Sequence, residues 1–343
     1  YQTLAAGKIF HGSKVDPPSF EKLGSRPGQR SDLDDRLVKD SPSRSRLWDW
    51  GAQAYPETGF SDHVVATWGE KALLEMEAGR PFFLAIGFYR PHVPLYSPPA
   101  FIDARPLREV RLPVVLAGDR DDLPPAALAL TENPLPPSHR WFESTGHWRK
   151  VVRAYLASTT FMDAQVGRVL TALDAGGHAE DTVVVLFSDH GFFLGEKERW
   201  AKQSLWERAT RVPLLIDVPG GREGARCDQP VELLAIFPTL LELCGLPAIE
   251  GLEGASLVPL LDDPSGGGWE RPAVTTYKRG NHAVRSKDFR YIRYADGSEE
   301  LYDHRTDPHE WRNLAEDNGM GDVIAAHRRW LPEVNVEDAR NPR

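Results

Sequence analysis

Apolar residues in the first part of the chain follow two different spacings, which predict a helix followed by a strand. Residues 61–79 (SDHVVATWGEKALLEMEAG) have helical spacing, and we expect Ser61 to cap this helix and Gly79 to end it. The uninterrupted apolar run FFLAIGF at 82–88 has the length of a buried strand. One helix–strand unit is therefore predicted in this region.

The same alternation continues further along the chain. Residues 149–175 carry apolar side chains at helical spacing, and residues 182–187 form a second continuous apolar run. A third run at 212–218 (VPLLIDV) is followed by a helical pattern at 231–244. Strands that alternate with helices predict an α/β sandwich with a central, mostly parallel sheet between helices.

The pattern changes after about residue 265. The segments AVTTYK, HAVRS, FRYIRYA and EELYDH are short, alternate in polarity and are separated by turn residues, so they predict a small antiparallel sheet. We therefore predict a main domain at 1–265 and a small C-terminal α+β subdomain at 266–343. The proline-rich stretch 91–148 has few periodic segments and is interpreted as a lid or binding loop.

Composition narrows the classes of function. The chain has 343 residues, of which 41% are hydrophobic and 27% charged, so a packed core is expected. The net charge of −9 argues against a nucleic-acid-binding protein, which would present a basic face. No apolar run reaches the roughly 20 residues that span a bilayer. Cys227 and Cys244 lack metal-finger spacing, and the sequence leaves open whether they pair.

A charged pair follows the apolar run at 182–187. Asp189, His190 and Gly191 fall at the carboxyl end of this predicted strand, where open α/β sheets bind their ligands. An aspartate oxygen and a histidine nitrogen are suitable metal ligands, and glycine allows the backbone a close approach. The alternative is an ordinary turn with a solvated acid and a hydrogen-bonded histidine.

Other cationic side chains suit an anionic substrate. Lys8 and His11 lie together in GKIFH, His92 follows the predicted strand 82–88, and Lys202 follows the Asp-His pair. Each of them alone is readily explained as a surface lysine or a loop histidine. Together they suit an anionic ester, because cations stabilise the oxyanion, a histidine transfers a proton and a metal accepts developing charge.

Several segments resemble one protein family in the right order along nearly the whole chain. They are GKIFHG, FYRPHVP, YLASTTFMDAQVGRVLTAL, VVVLFSDHGFFLGEKERWAKQSLWERATRVPLLIDVPG, IFPTLLELCGLP and ELYDHRTDPHEWRNLA. This set resembles the sulfatase family of the alkaline phosphatase superfamily, and it is most similar to iduronate-2-sulfatase and its bacterial relatives. The resemblance implies a calcium-dependent sulfuric ester hydrolase, with magnesium as an alternative ion, on an alkaline-phosphatase-like fold.

The resemblance also implies roles for individual residues. Asp189 and His190 match a pair of metal ligands, and Lys202 matches a lysine that holds the sulfate oxygens. His92 matches the histidine that protonates the leaving alcohol. Lys8 and His11 match the pair beside the catalytic aldehyde hydrate, where the lysine binds sulfate and the histidine helps to regenerate the aldehyde.

Five further residues are candidates for substrate binding. They are Arg90, Trp200, Arg279, Asn281 and His282. The last three belong to the small C-terminal subdomain, which closes one side of the site in sulfatases. Basic side chains there suit an acidic sugar such as a uronate, although each of the five could be an ordinary loop residue.

One part of the family pattern is missing from the sequence. Sulfatases form their formylglycine nucleophile in a C/S-x-P-S/T-R motif that precedes GKIFH, together with an aspartate pair that binds the metal. Neither Cys227 nor Cys244 has that context. We expect a fragment of a longer enzyme, the larger piece of a processed chain that stays bound to its own N-terminal fragment, or a degenerate homologue.

The expected substrate is a sulfated carbohydrate or another small sulfate ester. An arylsulfatase, a choline sulfatase, a phosphoester or phosphonate hydrolase of the same superfamily, and a non-catalytic protein on a sulfatase fold are the alternatives. Family habit implies a periplasmic, extracellular or lysosomal location, and no signal peptide is recognisable in the sequence.

Overall fold

The computed structural model describes residues 1–11, 19–26, 36–77 and 79–337. The strands of this part of the chain are β1 (Gln2–Gly7), β2 (Lys22–Leu23), β3 (Trp50–Ala52), β4 (Phe82–Gly87), β5 (Leu95–Ser97), β6 (Val184–Phe187), β7 (Phe193–Leu194), β8 (Trp200–Ala201), β9 (Leu214–Asp217), β10 (Ala273–Thr276), β11 (His282–Arg285), β12 (Phe289–Arg293) and β13 (Glu299–Asp303). The α-helices are α1 (Ser61–Leu74), α2 (Pro99–Asp103), α3 (Pro125–Leu130), α4 (His139–Ser144), α5 (His147–Ala175), α6 (Glu207–Thr210), α7 (Ile236–Leu243), α8 (Val258–Asp262) and α9 (Gly321–Arg328). None of the helices in the described residues is long and apolar enough to cross a membrane.

The chain folds into two compact units that each draw on two stretches of sequence. Unit 1 contains Tyr1–Pro113 and Pro134–Thr182, and unit 2 contains Val114–Asn133 and Val183–Arg343. The antiparallel sheet expected after residue 265 lies within unit 2. The domain boundary at residue 265 itself stays a prediction.

Unit 1 is built on a parallel sheet in the order β2-β1-β4. Its longest pairing runs from Gln2 opposite Phe82 to Gly7 opposite Gly87, so β1 and β4 end at the same level. Helices α1 and α5 pack against each other beside this sheet. Strands β3 and β5 form a second parallel pair. The mostly parallel arrangement predicted from the sequence is confirmed.

Unit 2 combines an antiparallel pair, β6 with β9, and a four-stranded antiparallel sheet in the order β10-β11-β12-β13. One face of this sheet packs on a core that includes Leu123, Phe193 and Trp206. The buried carboxylate of Glu300 accepts hydrogen bonds from Trp206 Nε1 (2.7 Å) and from two tyrosine hydroxyls, so its lone pairs are used inside the core. The predicted C-terminal sheet is confirmed.

Unit 2 also encloses a network of paired charges. Arg290 is fully buried and contacts Glu310 (Nε to Oε1, 2.6 Å) and Glu207. His304 Nε2 lies 3.0 Å from the same Glu310 oxygen, and Arg285 Nε lies 3.2 Å from Glu207. Because buried charges are tolerated when they are paired, this network replaces apolar packing over part of the core.

Some local expectations are wrong. Phe60, and not Ser61, is the N-cap of α1, and no side chain caps that end. The helix ends at Leu74 with Glu75 as its C-cap, before Gly79 is reached. The stretch 91–148, predicted to have little regular structure, contains β5 and the short helices α2, α3 and α4. Prolines start two of these helices, where their missing N–H has no cost.

Candidate active site

Asp189 and His190 follow the end of β6 after one residue, Ser188. His190 Nδ1 lies 2.8 Å from the Gly191 carbonyl, which can only accept, so this nitrogen carries the proton. Nε2 therefore presents its lone pair on the side of Asp189, whose Oδ2 is 3.6 Å away. A ring nitrogen fixed in this way by a backbone carbonyl is typical of metal-binding histidines.

Gly191 is required by the packing of this turn. A Cβ at this position would lie 2.1 Å from the Arg208 carbonyl oxygen, well inside van der Waals contact. The Gly191 N–H donates to the Ala209 carbonyl at 2.8 Å. The glycine therefore allows the Asp-His pair to be held against the backbone of α6.

Lys202 reaches the same point from the β7/β8 hairpin. Its Nζ lies 2.5 Å from His190 Nε2, so the ammonium donates to the imidazole lone pair. Asp189, His190 and Lys202 thus come together in unit 2. A carboxylate oxygen, a ring nitrogen and an ammonium in one place can bind a metal and an anion side by side.

The residues before Lys202 adopt unusual backbone conformations. Lys197, Glu198 and Ala201 have φ of 51°, 53° and 76°, a region that non-glycine residues rarely occupy. The loop is held by Lys197, whose buried Nζ donates to Asp119 Oδ1 at 2.9 Å and to the Glu310 carbonyl. Its ammonium also lies 5.3 Å from the centre of the Trp206 ring. The buried lysine compensates for backbone strain close to the site.

The donor atoms at the end of β6 fit part of a metal shell. Asp189 is two-thirds exposed, with 65% of its side chain accessible, and could supply an oxygen, while His190 could supply Nε2. A metal at Nε2 would take the lone pair to which Lys202 now donates, which frees the ammonium for an anionic ligand. Two ligands are fewer than the six to eight that calcium takes, so the rest of the shell must come from other groups.

A second group, Glu207, His304 and Glu310, places its ligand atoms within 4.8 Å of one another. Both carboxylates are already bound by Arg290, and Arg285 adds a further positive charge beside Glu207. Because these arginines neutralise the acids and would repel a cation, we interpret this set as part of the buried ion network.

In unit 1, two glycines allow β1 and β4 to approach each other closely at their carboxyl ends. A Cβ on Gly7 would lie 2.0 Å from the Gly87 carbonyl oxygen, and a Cβ on Gly87 would lie 2.2 Å from the Lys8 carbonyl oxygen. Only glycines allow β1 and β4 to stay this close at their carboxyl ends. Lys8 leaves the sheet here and donates its N–H to the Gly87 carbonyl at 2.8 Å. His11 lies three residues further on and is exposed.

The loop after β4 carries His92 and is built around buried groups. Arg90 donates from Nε to the Tyr96 carbonyl (2.9 Å) and from Nη1 to the His92 carbonyl (3.2 Å). Asp62 accepts from the backbone N–H groups of Tyr89 (2.7 Å) and Arg90 (3.0 Å). Burial raises the pKa of the Asp62 carboxyl, while Arg90 and the two N–H groups act in the opposite direction. His92 Nδ1 donates to the Val93 carbonyl at 2.7 Å.

The candidate substrate-binding residues occupy varied environments. Arg90 and Trp200 are buried, at 7% and 3% exposure. Asn281 and His282 are also buried: Asn281 Oδ1 accepts from the Ala295 N–H at 3.0 Å, and His282 Nε2 lies 2.7 Å from Asn335 Oδ1. Arg279 is more than half exposed, and it lies 3.7 Å from Glu337. Substrate contact by these five residues stays a prediction.

Sequence reasoning missed Asp62, Lys197 and Asp119. Asp62 lies in the first turn of α1, and nothing in its neighbours along the chain indicates that it binds the loop 28 residues later. Lys197 lies in the polar run GEKER, which gives no sign of burial. The unusual backbone of this run is the only local reason to single it out, and it is visible only in the structure. Both cysteines are free and exposed.

Two family profiles match the chain. A family profile for sulfatases matches residues 1–246. A second profile, described as the C-terminal part of N-sulphoglucosamine sulphohydrolase, matches residues 195–337. The two profiles overlap between residues 195 and 246 and together extend over nearly the whole chain.

Two curated relatives are similar to the chain in sequence. A sulfatase of Formosa agariphila is 40% identical over 98% of this chain and 68% of its own length. The iduronate 2-sulfatase of Mus musculus is 33% identical over 72% of this chain and 52% of its own length. The chain therefore spans about two thirds of the first relative and about half of the second.

The solved structures share the fold. A phosphonate monoester hydrolase of Agrobacterium radiobacter has a TM-score of 0.77 at 21% identity, covering 96% of this chain and 76% of its own. A protein solved in complex with its substrate D-glucosamine-2-N,6-O-disulfate has a TM-score of 0.71 at 20% identity, covering 96% of this chain and 78% of its own. With the profile match over residues 1–246 and the close Formosa relative, the chain belongs to the sulfatase family.

Proposed function

We propose that the protein hydrolyses a sulfate ester of a sulfated carbohydrate. The observation that carries this proposal is the meeting of Asp189, His190 and Lys202 at the carboxyl end of β6 in a chain of the sulfatase family. The group offers metal-ligand atoms and a cation for the sulfate oxygens in one place. Sulfate ester hydrolysis needs both, because negative charge builds up on the transferred group.

The proposed roles follow from the chemistry of each side chain. The Lys202 ammonium would neutralise sulfate oxygens, and Lys8 would add a second positive charge. His92, whose ring is oriented by the Val93 carbonyl, would donate a proton to the departing alcohol oxygen. A calcium or magnesium ion held by Asp189 and His190 would supply electrostatic stabilisation of the sulfate group when bound.

The nucleophile of the complete protein is proposed to be a formylglycine. Its hydrate would supply the attacking oxygen, and His11 would help to restore the aldehyde afterwards. Residues that precede GKIFH in the complete protein would then complete the site. The activity is accordingly proposed for the complete protein rather than for these 343 residues in isolation.

The proposed substrate is an acidic sugar with a sulfate group, as in iduronate 2-sulfatase. The 33% identity to the mouse iduronate 2-sulfatase supports this choice. Arg279, an exposed cation in the predicted C-terminal subdomain at 266–343, could pair with a uronate carboxylate. We further propose an exported or lysosomal protein, because sulfated polysaccharides are extracellular material.

Sulfate release by the complete protein tests the proposal. The protein, with its nucleophile matured, is assayed on D-glucosamine-2-N,6-O-disulfate, iduronate 2-sulfate disaccharides, 4-nitrophenyl sulfate, choline sulfate and phenyl phosphonate monoesters. We expect the largest kcat/KM on a sulfated sugar. A larger kcat/KM on the phosphonate would contradict the proposal and favour the phosphonate hydrolase alternative, which the structural neighbour from Agrobacterium radiobacter supports.

The Lys202→Ala variant tests the role of the site. Loss of one preorganised charge at the developing oxyanion is expected to lower kcat by about 10²–10³-fold. Lys71→Ala is the matched control, since Lys71 is exposed on α1 at 70% and pairs with the exposed Glu75. Equal kinetics of the Lys202→Ala and Lys71→Ala variants on the best substrate would remove Lys202 from the mechanism.

A further inference from the structure

A cavity in unit 1 is independent of the residues assigned above. It has a volume of about 550 Å³ and is lined by residues of the 37–40 segment, by β3 and by the first two turns of α5. This volume is within the range of roughly 300–1,000 Å³ that is typical of small-molecule sites. Lys8, His11, Arg90 and His92, the candidate residues of the same unit, do not line it.

The cavity wall is positively charged although the chain as a whole is acidic. Lys39, Lys150 and Arg153 line it together with one acid, Asp40. Lys150 and Arg153 are three residues apart on α5 and so lie on one face of the helix. Among the described residues, neither of these two forms an ion pair or side-chain hydrogen bond. Two such cations on one wall of a cavity, Lys150 and Arg153, suit an anionic ligand.

The aromatic side of the cavity is rigidly packed. Trp50 is 4% exposed and its ring contacts Trp141, Phe142 and His147 at centroid distances of 6.3, 5.6 and 5.5 Å. His147 stacks on Trp141 with a centroid distance of 5.0 Å and an interplanar angle of 8°. A wall fixed in this way requires little ordering when a ligand binds, which favours affinity.

A polar pair lies beside the cations. His147 Nε2 is 3.2 Å from Asp40 Oδ2, and the Asp40 side chain is 61% exposed. The exposed carboxylate oxygen can accept a hydrogen bond from a hydroxyl group of a ligand. The cavity therefore offers positive charge for an anionic group, an acceptor for hydroxyl groups and an apolar wall.

We propose that this cavity binds an anionic sugar unit, with its sulfate or carboxylate group at Lys150 and Arg153 and a hydroxyl at Asp40. The sugar class rests on the proposed function, since a sulfatase of carbohydrates meets chains that carry many such units. The site would hold one anionic unit of such a chain without taking part in the reaction. A free sulfate ion shares the anionic chemistry but would use neither the acceptor nor the apolar wall.

Binding measurements on the 343-residue chain test this proposal without requiring turnover. D-Glucosamine-2-N,6-O-disulfate, inorganic sulfate and N-acetylglucosamine are titrated at low salt by calorimetry. We expect the disulfated sugar to bind at least about tenfold more tightly than sulfate, because it uses all three features, and the uncharged sugar to bind most weakly. Equal affinity for sulfate and for the sugar would overturn the sugar assignment.

Two charge variants locate the binding. Lys150→Gln with Arg153→Gln is expected to weaken binding of the sugar by about tenfold or more, since two charge-assisted contacts are lost. Lys71→Gln with Arg108→Gln removes the same charge from exposed positions of unit 1 outside the cavity and is the matched control. Equal affinity of both double variants would overturn the proposal.

The Lys202→Ala variant separates this cavity from the candidate active site. We expect it to keep the affinity of the cavity for the sugar. Loss of binding in Lys202→Ala, with binding retained in the Lys150/Arg153 double variant, would assign the sugar to the active site and overturn the proposal. Failure of hydrolysis by the complete protein with binding to the cavity intact would count only against the proposed function.

Discussion

Lys197 is a basic side chain in the core of unit 2. It is 3% exposed, and its partner Asp119 is buried to the same extent. Burial of two ions has a large desolvation cost, which their attraction offsets only while both are present. Burial raises the pKa of Asp119, while the neighbouring Lys197 ammonium acts in the opposite direction. The pair is therefore expected to matter mainly when one partner is removed.

Lys197→Met is predicted to destabilise the protein by about 3–5 kcal/mol, because it leaves Asp119 as an unpaired buried charge. Urea unfolding measures the change in the free energy of unfolding. The double variant Lys197→Met with Asp119→Leu should recover much of the loss, since no charge is left behind. A double variant as unstable as the single one would show that the lysine stabilises the protein by its shape and not by its charge.

Glu207 makes stability depend on pH in the acid range. Burial opposes its ionisation, but Arg290 and Arg285 outweigh burial and lower the pKa from 4.5 to about 2. A carboxyl with a lowered pKa contributes stability above about 4.5, and this contribution is lost as the pH falls towards 2. The difference in free energy of unfolding between wild type and Glu207→Gln should therefore shrink between pH 4.5 and 2.

Denaturant unfolding at a series of pH values measures that difference. Glu75→Gln is the control, because Glu75 is 66% exposed and its carboxylate lies 3.9 Å from the exposed Lys71 ammonium. If the difference in free energy of unfolding between wild type and Glu207→Gln stayed constant between pH 4.5 and 2, this result would contradict the lowered pKa.

At the scale of elements, two glycines illustrate opposite requirements. At Gly191 an added Cβ would meet the Arg208 carbonyl at 2.1 Å, whereas at Gly167, inside α5 and exposed, no atom lies within 4 Å of an added Cβ. The first position needs the absence of a side chain. At the second position a side chain would fit, and glycine there only adds conformational freedom to the unfolded state.

Gly191→Ala is predicted to destabilise the protein by about 1–3 kcal/mol through overpacking, and Gly167→Ala to stabilise it by about 0.5–1 kcal/mol. Thermal unfolding of the two variants beside wild type checks both signs in one experiment. If Gly167→Ala lowered the melting temperature, the expectation that a methyl group fits at this position would be wrong.

Elements were predictable where burial follows the local pattern. Strands β4 and β6 and helix α5 lie within one or two residues of the predicted ranges, since their apolar side chains recur at the spacing of the element. The end of α1 was not predictable, because it stops five residues before the glycine expected to end it. The meeting of His190 with Lys202 does not follow from local spacing, because it depends on how the hairpin β7/β8 folds back. It was expected from the combined set of cationic side chains and from the resemblance to sulfatases.

At the scale of the whole molecule, apolar side chains remain accessible on β6, β9 and α7. Phe187 and Leu215 are 50% and 59% exposed, and the pairing register places them on opposite faces of the β6/β9 pair. Phe237 on α7 is 50% exposed. Sheets of α/β proteins are normally covered on both faces, so this surface favours contact with other polypeptide.

The isolated 343-residue chain is predicted to associate as its concentration rises, and Leu215→Lys to reduce this association without lowering the melting temperature. Light scattering after size-exclusion chromatography measures the mass. Leu116→Lys, at a position 44% exposed outside these elements, is the control and should associate like wild type. If both variants behaved alike, the β6/β9 pair would not be the contact surface.

The segment Val114–Asn133 belongs to unit 2, although unit 1 both precedes and follows it in sequence. Asp122 in this segment accepts a hydrogen bond from the Asn313 N–H, 191 residues later. During synthesis at about 5–20 residues per second, this aspartate leaves the ribosome roughly 10–40 s before its partner does. Completion of unit 2 is thus a late event in translation, and until then Ala127 of α3 lacks core neighbours that are synthesised later, such as Trp206 and Ile292.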